Sequence, residues 1–121
     1  MIGVDVVDIA RLDAALGRVP GLEERLFTEE ERAHASAANR VVRLAGTLAA
    51  KEAVIKALRL GPLPAWSRRI EIRRASDGAP RAFVEGREVA VSISHDGPVA
   101  VAVALAGEVD FPGRDPQPDR M

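Results

Sequence analysis

The sequence predicts one α+β domain, a mainly antiparallel sheet packed against one long helix and several shorter ones. Three observations carry this prediction. The patterns run in the order strand, helices, then four strands, which segregates helix from sheet along the chain. The hydrophobic period changes at Ile70, from helical spacing before it to apolar-charged alternation after it. The chain has 121 residues, enough for one domain and no more.

Residues 2–9 (IGVDVVDI) are dense in β-branched side chains and predict a buried strand. Asp5 is its odd member. Gly3, Asp5 and Val7 share one face, and Ile2, Val4 and Val6 the other. Asp5 is therefore either solvated on a wet face or held on a rigid strand to bind something. Asp8 to Arg11 leads into a short helix through Leu12, Ala15 and Leu16, which Pro20-Gly21 ends. Leu22 to Leu26 forms a further helical turn. Thr28 and Glu31 make a capping box, with Phe27 as its hydrophobic staple.

The central helix is expected from Arg40 to Leu60, with Asn39 as N-cap and Gly61 as the C-terminal stop. Leu44, Leu48, Ile55 and Leu58 recur as a core-facing stripe, and Lys51 stands where that stripe needs an apolar residue. Glu52 and Lys56 sit beside the stripe, four residues apart and so on one face. The plain reading is a snorkelling lysine with a surface Glu-Lys pair. Residues 61–67 read as a loop in which Trp66 covers a core edge.

Residues 70–74 (IEIRR) alternate as a half-exposed strand, Asp77-Gly78 marks a tight hairpin, and residues 81–85 return as a short strand. Residues 89–95 (VAVSISH) alternate again and end on His95. Asp96-Gly97-Pro98 turns the chain. Residues 99–106 then alternate large side chains with alanine, and the all-alanine face suits close approach of a helix or of another subunit. Residues 1–106 form the domain. Residues 107–121, with Pro112, Pro116 and Pro118, are expected to be a disordered tail.

Composition narrows the functional classes. There is no cysteine, so neither disulfides nor thiolate chemistry are available. A net charge of -1 argues against a dedicated nucleic-acid binder. No apolar run approaches a membrane span, and residues 1–5 enter the fold directly, with neither basic nor apolar leader. A soluble cytoplasmic protein is expected. Three Phe, one Trp and no Tyr leave a core of small aliphatics, for which oligomerisation is one way to bury more surface.

Three residues or pairs then break local rules: Asp5 in a strand, Lys51-Glu52 in an apolar helix, and His95 closing the face of Val89, Val91 and Ile93. If the long helix crosses the sheet, Asp5 and Glu52 can meet. Two carboxylates without cysteine form a hard oxygen site suited to Mg²⁺, and Lys51 and Lys56 would supply positive charge for phosphates. His34 reads as a surface residue. Arg11, Arg18, Arg25 and Arg32 recur every seventh residue, as a solvated basic edge or a dock for an acidic partner.

Residues 3–9 (GVDVVDI), 27–31 (FTEEE), 49–57 (AAKEAVIKA) and 91–96 (VSISHD) together resemble the holo-[acyl-carrier-protein] synthases, the short branch of the 4′-phosphopantetheinyl transferases. The resemblance spans residues 1 to about 106. It implies transfer of the phosphopantetheine arm of coenzyme A to a serine of apo acyl carrier protein, with release of adenosine 3′,5′-bisphosphate. By position, Asp5 and Glu52 match the Mg²⁺ carboxylates, and Lys56 matches the lysine at the diphosphate. Lys51, Ser94 and His95 match positions lining the coenzyme A site. The resemblance also implies a homotrimer with sites between subunits. The carrier serine would attack the β-phosphorus in line, with Glu52, or a water it orients, as candidate base. Arg11, Arg18 and Arg25 are candidates for docking the acidic carrier protein. Two departures stand out: Thr47 and Leu48 replace the family's usual Arg and aromatic, and Gly61-Pro62-Leu63 replaces Gly-Thr-Gly. They motivate an alternative, a non-catalytic module of the same fold that binds coenzyme A or a carrier protein.

Overall fold

The structure is a computed structural model and describes residues 1–36 and 38–107. The expected disordered tail lies, beyond Gly107, outside the described residues. The elements run β1 (Ile2–Asp8), α1 (Ile9–Arg18), α2 (Leu22–Leu26), α3 (Glu29–His34), α4 (Arg40–Leu58), α5 (Leu63–Trp66), β2 (Ile70–Arg74), β3 (Pro80–Val84), β4 (Arg87–Asp96) and β5 (Val99–Leu105). The strands form one five-stranded sheet in the order β1-β5-β4-β3-β2. Every neighbouring pair is antiparallel. The predicted α+β class and strand order along the chain are what is found. The stretch expected to be a loop at 61–67 contains the short helix α5.

Local chemistry sets the helix ends. Asp8 caps α1, its carboxylate accepting from the Arg11 N–H at 3.0 Å. The Thr28–Glu31 capping box forms in both directions, at 2.8 and 3.2 Å. Both expected ends of α4 differ in mechanism. Asn39 takes the left-handed conformation (φ 62°) and makes no side-chain cap. At the other end Arg59, not Gly61, turns left-handed (φ 55°), and the Leu60 N–H closes back on the Ile55 carbonyl. Gly61 has another use: a Cβ there would sit 3.2 Å from the Trp66 indole nitrogen.

Helix α4 crosses one face of the sheet, and the alanines make this possible. Ala100, Ala102 and Ala104 of β5 are fully or almost fully buried, as are Ala49, Ala50, Ala53 and Ala57 of α4. The all-alanine face of β5 is therefore the helix seat. The closest approach is at Gly3, where a Cβ would lie 2.0 Å from the Ala53 carbonyl oxygen and 2.7 Å from the Ala57 nitrogen. Only a residue without a side chain lets β1 lie on the helix backbone there.

Among the described residues, none covers the outer face of β1 and β5. Ile2 and Val6 are 66% and 57% exposed, and Val4, Val103 and Leu105 are exposed with them. The expected stripe of α4 is also broader than the spacing implied. Between Leu44 and Leu58 the helix is buried on nearly every side. Only Leu48, Glu52 and Lys56 reach the surface, one turn apart along a single line.

Candidate active site

That line opens onto a groove of about 600 Å³, whose lining includes Asp5, Asp8, Arg11, Arg18, Leu48 and Glu52. β1 supplies Asp5 because its pairing with β5 fixes which residues face the helix: Gly3, Asp5 and Val7 are opposite Ala104, Ala102 and Ala100. Asp5 is thus on the helix side, not on the wet side of the strand, and the apolar Ile2, Val4 and Val6 take the outer face. Gly3 brings the strand down onto the helix. Two residues on, Asp5 meets Lys56, whose ammonium donates to the Asp5 carboxylate at 2.9 Å and to the Val4 carbonyl at 3.1 Å.

The two carboxylates feel each other. Burial, then the negative charge of Asp5, raise the pKa of Glu52 above the usual glutamate range, and Lys56 acts in the opposite direction. The hydrogen bond and charge of Asp5 in turn hold the Lys56 ammonium above the usual lysine value. Asp5, Glu52 and Lys56, expected together from the sequence, are therefore together.

Lys51 is elsewhere. Its side chain is fully buried, in contact with the equally buried Glu31 at 2.6 Å. Its other two N–H bonds go to the carbonyls of Leu26, at 3.1 Å, and Ser67. The Phe27 ring lies 5.7 Å from the ammonium. All three donors are thus used inside the protein. Burial lowers the Lys51 pKa and Glu31 opposes that shift. The expectation that Lys51 lines the ligand site is corrected in this respect: its ammonium ties α2, α3 and α5 to α4. It does not snorkel either. The partner missed by sequence reasoning is Glu31, whose capping role is the only one its local pattern announces. Its second oxygen also accepts the Ile72 N–H at 2.7 Å. The available signal was that one chain offers a buried lysine and a capping box with an acid to spare.

Ser94 and His95 point to opposite faces of β4. Ser94 is opposite Val101, on the uncovered apolar face, whereas His95 is opposite Ala100 on the helix side. His95 lines a recess of about 140 Å³ with Arg43, Gly46, Arg74 and Ile93. This recess shares no lining residue with the Asp5–Glu52 groove. The sequence does not announce Arg43 and Arg74 there. Each looks like an ordinary charge on the exposed side of its element, and the packing of α4 on the sheet that joins them to His95 is invisible in sequence. Of the docking candidates, Arg11 and Arg18 line the carboxylate groove, but Arg25 lines a different one with Leu22, Pro64 and Arg68. Thr47, in the place of the family's usual arginine, is buried.

Among the described residues no three His, Cys, Asp or Glu side chains cluster as a metal site. A pair of carboxylates with no third such ligand beside it fits a cation that completes its shell with water and phosphate oxygens, as Mg²⁺ does. Among the described residues, no helix is long and apolar enough to cross a membrane.

Comparison with known proteins gives the class. The sequence pattern of the 4′-phosphopantetheinyl transferase superfamily matches residues 1–104. The chain belongs to that family. Within it, the holo-[acyl-carrier-protein] synthase of Frankia alni is 40% identical over 116 residues, covering 87% of this chain and 94% of the relative. The synthase of Moorella thermoacetica is 39% identical over 115 residues, 85% of this chain and 90% of the relative. The fold is similar to that of Helicobacter pylori holo-[acyl-carrier-protein] synthase in complex with coenzyme A. Its TM-score is 0.76 at 29% identity, covering 87% of this chain and 98% of that one. The Bacillus anthracis synthase in complex with coenzyme A (3′,5′-ADP) gives 0.73 at 33% identity, covering 85% and 91%.

Proposed function

We propose that this chain transfers the 4′-phosphopantetheine arm of coenzyme A to a serine of apo acyl carrier protein, releasing adenosine 3′,5′-bisphosphate. The observation that carries the reading is that Asp5 of β1 sits against Glu52 and Lys56, on the one open line of α4 between Leu44 and Leu58. Relatives that share these folds and sequences are named for this reaction, and two of them hold coenzyme A. The reaction needs charge of both signs at a diphosphate, and the groove offers it.

Asp5 and Glu52 would hold Mg²⁺, which when bound supplies charge neutralisation at the diphosphate oxygens. Lys56 then serves the diphosphate directly, its half-exposed ammonium free to rotate on a long stem. The carrier serine attacks the β-phosphorus in line. Glu52 is the candidate to take its proton, directly or through a water that it orients. Arg11 and Arg18, on the rim of the same groove, would meet the acidic carrier. Lys51 acts from behind, by holding α4 against the smaller helices.

The working unit we propose is a homotrimer. In one chain, α4 separates the carboxylate groove from the His95 recess, so one coenzyme A has no single pocket touching both. A second copy laid against the exposed Ile2, Val4, Val6, Val103 and Leu105 would cover that face. It would also bring one copy's His95, Arg43 and Arg74 toward another's Asp5 and Glu52, giving cationic groups for further phosphate. Ser94, on the apolar face, then contributes at the subunit boundary. The protein is expected in the cytoplasm, where its coenzyme and carrier are found.

The test is intact-mass analysis of apo acyl carrier protein after incubation with this chain, coenzyme A and Mg²⁺, with and without chelator. The expected result is a gain of one phosphopantetheine that chelation abolishes. Coenzyme A binding without any mass gain, across several carrier proteins, would instead establish the non-catalytic module, and the buried Thr47 would be the first position to change.

A further inference from the structure

Lys56 has two neighbours to serve. Its ammonium is bonded to Asp5 at 2.9 Å and to the Val4 carbonyl at 3.1 Å. Its side chain is 53% exposed, against 14% for Asp5. Glu52, one helical turn before it, lies close enough that Lys56 offsets the effect of Asp5 on its pKa. Lys56 is thus a monovalent cation already paired with Asp5 and one helical turn from Glu52. Beyond those two bonds it is carried on a long, half-exposed stem.

Resting on the transferase reading, we infer that Lys56 is an internal counter-ion whose release couples metal binding to diphosphate binding. A divalent cation that takes Asp5 as a ligand competes with the Lys56 ammonium for the Asp5 carboxylate. It also faces the repulsion of a fixed positive charge beside the site. With its side chain more than half exposed, the ammonium can leave these partners toward solvent. An incoming diphosphate gives it a better one and brings oxygens for the metal at the same time. The free protein therefore holds a divalent cation weakly, and the diphosphate strengthens that binding. By reciprocity the cation strengthens diphosphate binding by the same factor. Lys56 acts here as a positioning residue for the metal step, beyond its contact with substrate.

The experiment measures Mn²⁺ binding to the full chain by electron paramagnetic resonance, with and without coenzyme A, after subtraction of Mn²⁺ held by coenzyme A alone. Wild type is compared with Lys56→Met, Lys56→Gln and Arg11→Gln. Arg11 lines the same groove without contacting Asp5. In wild type, coenzyme A is expected to tighten Mn²⁺ binding by about tenfold or more, within the usual range of coupling between two sites. Both Lys56 variants should bind Mn²⁺ alone about fivefold or more tightly than wild type and lose most of the coenzyme effect, with Arg11→Gln close to wild type. Equal tightening in Arg11→Gln and the Lys56 variants would overturn the proposal in favour of a diffuse field. Mn²⁺ binding to wild type that ignores coenzyme A would also overturn it, leaving the metal assignment standing. No Mn²⁺ binding under any condition would remove the metal assignment itself, and the coupling with it.

Discussion

Helix α4 carries two lysines five positions apart, and each is paired with an acid, yet the two pairs have opposite characters. Lys51 and Glu31 are both fully buried. Their remaining donors and acceptors are spent on backbone groups of Leu26, Ser67, Thr28 and Ile72. Lys56 and Asp5 lie at the surface, with Asp5 lining the groove and the lysine more than half exposed. A buried pair with every hydrogen bond satisfied has no exchangeable partner and serves the fold. An exposed pair is weak, screened and replaceable, which is what a ligand site needs. The same side-chain chemistry thus does structural or functional work according to how many alternative partners can reach it.

The comparison breaks most severely at Lys51. Lys51→Met leaves Glu31 charged and uncompensated in the interior, and urea unfolding should show a loss of about 3–5 kcal/mol. The double variant Lys51→Met/Glu31→Gln should recover part of that loss, because the stranded charge is gone. A Lys51→Met protein as stable as wild type would contradict the buried pair. On the open side, Asp5→Ala and Glu52→Ala should keep the fold by circular dichroism and cost transfer at least about 100-fold. Wild-type transfer by either variant would remove the carboxylates from the site.

Between these extremes lies Gly3, which serves both. Gly3→Ala forces β1 away from the Ala53 carbonyl, so it should lose about 1–3 kcal/mol of stability and lower transfer by moving Asp5. Unaltered transfer with reduced stability would show that Asp5 does not depend on that contact. The smallest stability effect belongs to Lys56→Met, expected within about 1 kcal/mol of wild type, since an exposed lysine is lost and Asp5 keeps access to water.

A pH series sharpens the same contrast. The Glu52 pKa is raised in the folded chain, so the folded state binds its proton more readily than the unfolded state. That contribution is fully present below the ordinary glutamate value of about 4.3 and is lost as pH rises through the raised value. The metal-free wild type should therefore lose stability relative to Glu52→Gln as pH rises through that window. Parallel urea titrations of the two proteins would reveal it, and a constant difference would mean that Glu52 is not perturbed.

Much of this was legible in residue order alone. The period-2 runs at Ile70, Val89 and Val99, the capping box at Thr28 and the alanine alternation of residues 99–106 each record a local preference, and each appears where expected. Asp5, Glu52 and Lys56 were visible because a charge in an apolar strand or helix is costly without a reason. Local patterns missed whatever depends on which surfaces meet. Gly61 looked like a helix stop, but Arg59 makes the turn, and Gly61 instead lies against the Trp66 indole, a contact that only the packed loop creates. Arg43, Arg74 and His95 are 31 and 21 residues apart in sequence, and only the packing of α4 on the sheet brings them to one recess.

By itself, then, the sequence determined most of the elements, their order and the identity of the candidate site side chains, because propensity, period and charge are properties of neighbouring residues. The tertiary structure decided which lysine is sealed and which is free, which face of β5 takes the helix, and which side of β1 carries Asp5. Those outcomes are set by burial, and burial is a property of the packed whole: a lysine is a strut where Glu31 and two carbonyls surround it and an exchangeable cation where water can reach it.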